Sequence, residues 1–161
     1  VTDNNYAGFI TSRVKEPGEP GYFVDTEGNI LGMHKGIYNY TIGQRKGLGI
    51  SVGKPMYVVS IDAGNNRVVL GESGKEYSDG LIASDLNWIA FAKPDGPLRA
   101  MAKIRYSAKE SEAVITPIAD NKVKVEFTCP QRAVTPGQSV VFYDGDIVLG
   151  GGVIEEQINN R

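Results

Sequence analysis

A glycine-rich stretch at residues 40–50, YTIGQRKGLGI, has the most unusual combination of residue types in this chain. Gln44, Arg45 and Lys46 lie between glycines, so an amide and two cations accompany a backbone that can adopt positive φ values. Such a loop can bring N–H groups and positive charge against RNA phosphates or bases. The same glycines could serve only to bend the chain between strands. Residue types alone leave these two readings open.

Two nucleotide-binding motifs are disfavoured for this stretch. A P-loop requires Gly-Lys-Ser/Thr after a four-residue gap, and that pattern is absent. Gly47, Gly49 and Gly53 resemble a dinucleotide fingerprint, but that fingerprint must open a helix. Here Pro55 and a β-branched segment follow instead.

Three residues in the second half of the chain have side chains suited to RNA. Arg105 and Tyr106 place a planar guanidinium beside an aromatic ring, a pair that can bind phosphate and stack on a base. Gln138 lies in the segment TPGQS at 135–139 and can offer an amide to a nucleotide. Both observations have an ordinary structural alternative. Arg105 and Tyr106 could be a surface arginine beside a tyrosine of the barrel, and the segment of Gln138 could be a turn that enters a strand.

Catalytic chemistry has little support in the sequence. The chain has one cysteine, Cys129, and one histidine, His34, so a Cys/His metal site cannot be assembled. No Ser-His-Asp arrangement or carboxylate pair stands out, and we predict neither catalytic nor metal-binding residues. We expect Cys129 to be a small buried apolar residue and His34 to be structural.

Charge is unevenly distributed along the chain. The net charge of −2 argues against an indiscriminate nucleic-acid binder. However, residues 28–61 contain no Asp or Glu and include Lys35, Arg45, Lys46 and Lys54. In a second stretch, 93–109, only Asp95 opposes Lys93, Arg99, Lys103, Arg105 and Lys109. A basic face is therefore compatible with the acidic total.

Short strands and turns must position these residues. The chain has 20 glycines and 8 prolines between short apolar runs, which favours a mainly β protein. Residues 5–14 have the spacing of a short N-terminal helix. Two hairpins are predicted next, from residues 22–25 with 30–34 and from 56–61 with 67–70. The polar segment 71–80 predicts a boundary between a β-rich central domain, 1–79, and a second domain, 80–161.

The second domain is predicted to be a small closed antiparallel barrel, because turn signals separate short alternating segments. Its six strands are expected at 81–88, 99–106, 112–118, 122–128, 139–143 and 147–154. Its expected core residues are Leu86, Ile104, Val114, Val125, Phe127, Val141 and Val153. Gly150, Gly151 and Gly152 would allow a close backbone approach or form a bulge.

These motifs together resemble bacterial tRNA-specific 2-thiouridylases. The matching segments, in the same order, are GMHKGI at 32–37, YTIGQRKGLGI at 40–50, LNW at 86–88, IRY at 104–106, VTPGQSVVFY at 134–143 and LGGGVI at 149–154. The resemblance covers nearly the whole chain from Tyr6 onward. The resemblance implies that this chain consists of the central domain and the C-terminal barrel of such an enzyme, and that the barrel is similar to those of translation factors. Enzymes of this family use ATP to replace the 2-oxygen of the wobble uridine of tRNA with sulfur.

The resemblance also implies what each part does. The family's Ser-Gly-Gly-x-Asp-Ser ATP loop and both catalytic cysteines have no counterpart here, and Cys129 matches neither. We therefore expect a fragment that is inactive alone and binds no cofactor, with ATP and Mg²⁺ required only by the N-terminal catalytic domain. Arg105, Tyr106 and Gln138 match family positions that contact tRNA.

The expected partners are tRNA, the family's N-terminal catalytic domain and, through the full enzyme, a sulfur-relay protein. No apolar run approaches the ~18 residues of a membrane span, and we expect a cytoplasmic protein with no membrane partner. The alternative interpretation is a protein-interaction barrel that docks the catalytic domain or a sulfur-relay partner with little direct RNA contact. Gln44, Arg45 and Lys46 would then pack against the catalytic domain.

Overall fold

The structure, a computed structural model, describes residues 18–119 and 121–159. The helix predicted at 5–14 lies outside these residues. The chain divides into two compact units, Val1–Glu76 and Tyr77–Arg161, called the sheet unit and the barrel unit below. No helix formed by the described residues has the length and apolar character needed to cross a membrane.

The sheet unit contains two hairpins that share one four-stranded sheet. Its elements are β1 (Gly21–Val24), β2 (Ile30–His34), a 3₁₀ turn (Ile37–Asn39), β3 (Met56–Asp62) and β4 (Arg67–Glu72). The strand order is β2-β1-β4-β3, with a parallel pair, β1 and β4, at the centre and an antiparallel hairpin on each side. Both predicted hairpins are confirmed.

Aspartates fix both hairpin turns. Asp25 accepts hydrogen bonds from the main-chain N–H groups of Glu27 and Asn29 and from the Asn29 side chain, and Asp62 accepts the equivalent pair from Asn65. Short polar side chains that bond to the backbone a few residues later are typical of such turns. The hydrogen bonds from the asparagine side chains contribute most to holding the pKa values of Asp25 and Asp62 below their ordinary range.

The core of the sheet unit is small and leaves no room at Gly21. Phe23, Val58, Val68 and Leu70 are fully buried. A Cβ at Gly21 would collide with the main-chain oxygen of Asn66 and come within 2.7 Å of His34 Nε2. Glycine is therefore required where β1 begins.

The barrel unit is a closed six-stranded antiparallel barrel with the strand order β10-β5-β8-β7-β6-β9, as predicted. Its strands are β5 (Tyr77–Trp88), β6 (Leu98–Lys103), β7 (Ser111–Ala119), β8 (Lys122–Arg132), β9 (Ser139–Asp144) and β10 (Ile147–Ile158). Closure pairs every strand on both sides, which removes free sheet edges. Within the segment 71–80, β4 continues through Glu72 and β5 begins at Tyr77.

The predicted barrel core is partly wrong. Val125, Phe127 and Ile104 are buried, and Leu86 packs against the core from its margin. Val114, Val141 and Val153 are only partly buried, and their neighbours fill the interior instead: Ala113, Ile115, Val140, Phe142 and Ile154. Successive residues of a strand face opposite sides, so an error of one position reverses the face. Apolar residues on both faces of these strands made that error possible.

The three glycines of β10 combine both predicted roles. A Cβ at Gly150, Gly151 or Gly152 would lie 2.6 Å from a main-chain oxygen of a neighbouring strand. The pairing of β10 with β5 also shifts register between Gly151 and Val153, as a bulge does. Close approach and bulge therefore occur together, at the point where β10 bends around the barrel.

Candidate nucleic-acid interface

The glycine-rich loop that follows the 3₁₀ turn is attached to the edge of the sheet. Gly43 N–H donates to Val58 O at 2.7 Å, and Val58 N–H donates to Gln44 O at 2.9 Å, so the loop begins alongside β3. Leu48 is buried, and Ile50 lies directly over Gly32 of β2, where a Cβ would come within 2.8 Å of the Ile50 side chain. The loop is thus held at its start and along its apolar side.

Gln44 shapes this loop with its side chain. Its Oε1 accepts the Thr41 N–H at 3.0 Å, and its Nε2 donates to Lys46 O at 2.9 Å. Both ends of the amide are therefore used within the loop. The predicted role of Gln44 in tRNA binding is untested, and this geometry gives the side chain a positioning role.

Arg45 and Lys46 are exposed at the tip of the loop. The Arg45 guanidinium carbon lies 6.0 Å from the centroid of the Tyr57 ring, a distance at which cation–π attraction operates. Among the residues that the structure describes, neither cation forms an ion pair. Lys54, farther along the loop, differs because it is bonded to Glu72.

Arg105 and Tyr106 lie beyond the end of β6, which corrects the strand predicted at 99–106. The strand β6 ends at Lys103, and residues 104–107 form a bend and turn. Ile104 is buried and anchors this turn in the core. The half-buried Arg105 donates from Nη1 to Arg132 O at 3.2 Å and to Ala133 O at 3.5 Å. Arg105 therefore fastens the turn to the end of β8.

Tyr106 is 98% exposed, the most exposed large hydrophobic side chain among the described residues. The Lys103 ammonium lies 5.8 Å from the centroid of its ring. An aromatic ring that touches so little protein is available for stacking, and a neighbouring cation adds attraction for phosphate. Lys103, three residues before the tyrosine, was recognised in the sequence only as one member of a basic stretch.

Gln138 lies at the end of a loop that begins at Arg132 and Ala133, whose carbonyl groups accept the hydrogen bonds from Arg105. Ala133 has a φ of 56°, Gly137 a φ of 84°, and Gln138 N–H donates to Thr135 O at 3.2 Å. The main chain of residues 137–138 is also joined to Ile154 by two 2.8 Å hydrogen bonds. The Gln138 side chain is exposed. Arg105 and Gln138 are thus connected to opposite ends of one short loop.

His34 and Cys129 take no part in these groups. His34 is buried, packs edge-on against Phe23 and Tyr40, and its Nδ1 accepts the Gly36 N–H at 3.0 Å. Cys129 is exposed, so the expectation of burial was wrong. The pairing of β8 with β5 jumps from Glu126 to Gln131, which leaves Cys129 in a bulge outside the ladder. No cluster of His, Cys, Asp or Glu suited to a metal ion occurs within the described ranges.

Comparisons with known proteins match both halves of the chain. Residues 7–72 match the family described as the tRNA methyl transferase PRC-barrel domain, and residues 78–154 match the aminomethyltransferase beta-barrel domain. The tRNA-specific 2-thiouridylase MnmA of Acetivibrio thermocellus is 64% identical over 155 residues, which cover 96% of this chain. The protein named tRNA-specific 2-thiouridylase MnmA 2 in Caldanaerobacter subterraneus subsp. tengcongensis is 61% identical over 158 residues, or 98% of this chain.

The chain belongs to the tRNA-specific 2-thiouridylase family. The match extends over 43% of the length of each of these two relatives, so this chain spans less than half of either. The resemblance drawn from the sequence motifs is thereby confirmed. Compared with these relatives, this chain covers only the two non-catalytic domains.

The structure brings the candidate residues together as two groups. In the sheet unit, Gln44 holds the loop that presents Arg45 and Lys46. In the barrel unit, Arg105 joins the turn that carries Tyr106 to the loop that carries Gln138. Both groups carry positive charge, exposed at Arg45 and Lys46 and partly exposed at Lys103 and Arg105. The barrel group adds an exposed aromatic ring and an exposed amide.

Proposed function

We propose that this chain is the tRNA-binding portion of an enzyme that 2-thiolates the wobble uridine of tRNA. Adenylation and sulfur transfer then take place in the family's N-terminal catalytic domain, which is also where ATP and Mg²⁺ act. The two non-catalytic domains hold and orient the tRNA. The single observation that carries the proposal is the fully exposed Tyr106 ring between Lys103 and the fastened Arg105 turn.

The chemistry of the barrel group suits RNA better than it suits a protein core. A ring 98% exposed contributes little to folding, whereas stacking on an unpaired base stabilises a complex by about 1–3 kcal/mol. The Lys103 ammonium supplies charge for a phosphate, and the exposed amide of Gln138 can donate to and accept from a base edge. These are the three kinds of contact that single-stranded parts of folded RNA offer.

The loop group supports the same function through charge. Arg45 and Lys46 are exposed and have no ion-pair partner in the described part of the chain. Cations that are not neutralised within the protein remain available for phosphates. Because few such contacts exist, affinity should be weak and fall steeply with salt.

Filter binding to cognate tRNA tests the proposal. At about 50 mM salt, the double variant Arg105→Ala, Gln138→Ala should bind at least tenfold more weakly than the unaltered chain, since losing one charged hydrogen bond costs about 1.5–3 kcal/mol. Arg67→Ala removes the same charge from an exposed position on β4 and serves as the control. Equal retention by the double variant and the unaltered chain would remove Arg105 and Gln138 from the interface.

One observation favours the alternative, a protein-interaction barrel. A shallow groove of about 300 Å³ on the barrel unit is lined mainly by apolar residues: Leu86, Trp88, Pro94, Pro117, Ile118, Ala119 and Val123, with Lys93, Asp95 and Lys122. Ile118 is 52% exposed, as expected of a site that another protein covers. Crosslinking of the full enzyme to tRNA separates the two functions. Adducts confined to the N-terminal domain would support the alternative and contradict the RNA-binding role.

A further inference from the structure

A second concave site lies within the sheet unit, beside the glycine-rich loop and the start of β3. It is shallow, with a volume of about 220 Å³. The residues that line it are Arg45, Gly47, Leu48, Gly49, Ile50, Val52, Lys54, Pro55 and Met56. This loop pocket is therefore built from one continuous segment of the chain.

The loop pocket is electrostatically positive. Arg45 and Lys54 are its lining residues with polar side chains, and both are cations. None of the described residues that line it is a carboxylate, although Glu72 is bonded to the Lys54 ammonium and offsets part of that charge. Arg45 forms no ion pair within the described residues, and its guanidinium carbon lies 6.0 Å from the centroid of the Tyr57 ring.

The backbone of the pocket adds free donors. Two glycines of the lining, Gly47 and Gly49, have φ values of 74° and 72°, and Gly53, which lies next to the lining in the chain, has a φ of 73°; few other residues adopt such values. No side chain or backbone atom lies within 4 Å of where a Cβ would stand at Gly49 or Gly53. The N–H groups of the two lining glycines, Gly47 and Gly49, make no hydrogen bond to another described residue. Glycine-rich loops with free N–H groups commonly bind anions.

We propose that the loop pocket binds one phosphate group of the RNA backbone, an inference that rests on the proposed function. The planar guanidinium of Arg45 can donate two parallel hydrogen bonds to phosphate oxygens, and the ammonium of Lys54 adds positive charge. The loop N–H groups then complete the coordination. The apolar lining from Leu48, Ile50 and Met56 shapes the pocket without supplying competing polar groups.

A free phosphate compound has the same chemistry as an RNA phosphate, but the shape of the pocket favours RNA. Sites that retain small molecules usually enclose most of the ligand in about 300–1,000 Å³. The loop pocket is smaller and open to solvent, so it can contact one group of a ligand that is held elsewhere as well. A phosphodiester within a longer RNA fits that description.

Amide NMR of the ¹⁵N-labelled chain tests the proposal. Titration with an anticodon stem-loop RNA should shift the Gly47 and Gly49 amide signals. Arg45→Gln should abolish that shift and reduce the dependence of log affinity on log salt by about one. Arg67→Gln removes an equal charge from an exposed position outside the pocket and should change neither.

A second pair of variants distinguishes loss of the site from loss of folding. Val52→Glu places a carboxylate among the lining residues, whereas Ser51→Glu adds the same charge at a position that does not line the pocket. Both should melt at nearly the temperature of the unaltered chain, because these positions are partly or fully exposed. The glycine shifts should disappear in Val52→Glu and persist in Ser51→Glu.

The possible failures differ from one another. If RNA binds and shifts the Tyr106 signals but leaves Gly47 and Gly49 unmoved, the pocket proposal is overturned while the proposed function stands. If inorganic phosphate or a mononucleotide shifts the amide signals of these glycines but RNA does not, the pocket binds a free phosphate compound, and the proposal that it binds an RNA phosphate is overturned. If RNA shifts no signal in either unit, the proposed function fails, and the pocket proposal fails with it.

Discussion

The two units present positive charge by different structural means. In the sheet unit, Arg45 and Lys46 stand on a loop whose glycines adopt positive φ values, and the Gln44 amide fixes its shape. In the barrel unit, Lys103 and Tyr106 stand at the end of a strand in a closed sheet, and the Arg105 side chain fastens their turn to β8. The first solution depends on backbone freedom, and the second depends on a contact between distant segments.

This difference has a consequence for what each unit can recognise. A loop rich in free N–H groups and cations attracts phosphates, which carry no sequence information. An exposed aromatic ring on a fastened turn, together with an exposed amide, can distinguish unpaired bases from paired ones. We therefore expect the affinity supplied by the sheet unit to depend strongly on salt. The affinity supplied by the barrel unit should depend on salt less, because stacking on Tyr106 contributes beside the charge of Lys103.

The largest effect is expected at Gly21, where the sheet unit has no room for a Cβ. Gly21→Ala should reduce the free energy of unfolding of this unit by about 3 kcal/mol, because the obstacles are the main chain of Asn66 and a buried histidine. Hydrogen exchange should show faster exchange in β1, β2 and β4. Gly64→Ala, whose Cβ would meet no atom closer than 3.7 Å, is the control. An unchanged melting profile for Gly21→Ala would mean that β1 can move away.

A smaller effect separates the two kinds of RNA contact. Tyr106→Leu should weaken tRNA binding by about 1–3 kcal/mol with an unchanged salt dependence, and Tyr106→Phe should retain most of the affinity, since the ring is what stacks. Lys46→Gln should instead lower the salt dependence by about one phosphate contact. Affinities measured from about 50 to 200 mM salt provide this comparison. If Tyr106→Leu changes the salt dependence and Lys46→Gln does not, our assignment of roles is reversed.

The smallest expected effect is the loss of stability of the sheet unit at low pH. Hydrogen bonds lower the pKa values of Asp25, Asp62 and Glu72 in the sheet unit, and the hydrogen bond from Lys122 lowers that of Glu155 in the barrel unit. A carboxylate with a lowered folded-state pKa stabilises the protein at neutral pH, and this contribution is lost as the pH falls through that pKa. As the pH falls below about 5, hydrogen-exchange protection, corrected for the intrinsic exchange rate, should therefore decrease more in the sheet unit than in the barrel unit.

Replacing one turn aspartate checks this cause. Asp25→Ala removes a titrating group together with its hydrogen bonds to Asn29. The sheet unit of this variant should be slightly less stable at pH 7 and should lose less of its stability between pH 5 and pH 3. An acid response identical to that of the unaltered chain would show that Asp25 does not contribute. Glu72 and Glu155 are exposed, and Asp25 and Asp62 are only partly buried, so the effect is small.

The sequence by itself determined the mainly β class, both hairpins of the sheet unit, the closed barrel and the family. Turn residues such as Asp25 and the pair Asn65-Asn66 locate hairpins because they act over a few residues. The alternation of Val123, Val125 and Phe127 located one face of β8 because charged or polar residues occupy the other. Family membership followed from sequence motifs that can be recognised without any structure. These are local signals.

The tertiary structure alone decided which face of β7, β9 and β10 turns inward, where β6 ends and what Arg105 touches. Val114 and Ile115 are both β-branched, so alternation could not choose between them, and the narrow barrel interior selects Ala113 and Ile115. Arg105 reaches carbonyl groups 27 and 28 positions later in the chain. Cys129 is exposed because the register of β8 against β5 breaks beside it. Each of these outcomes depends on how distant strands meet when the barrel closes.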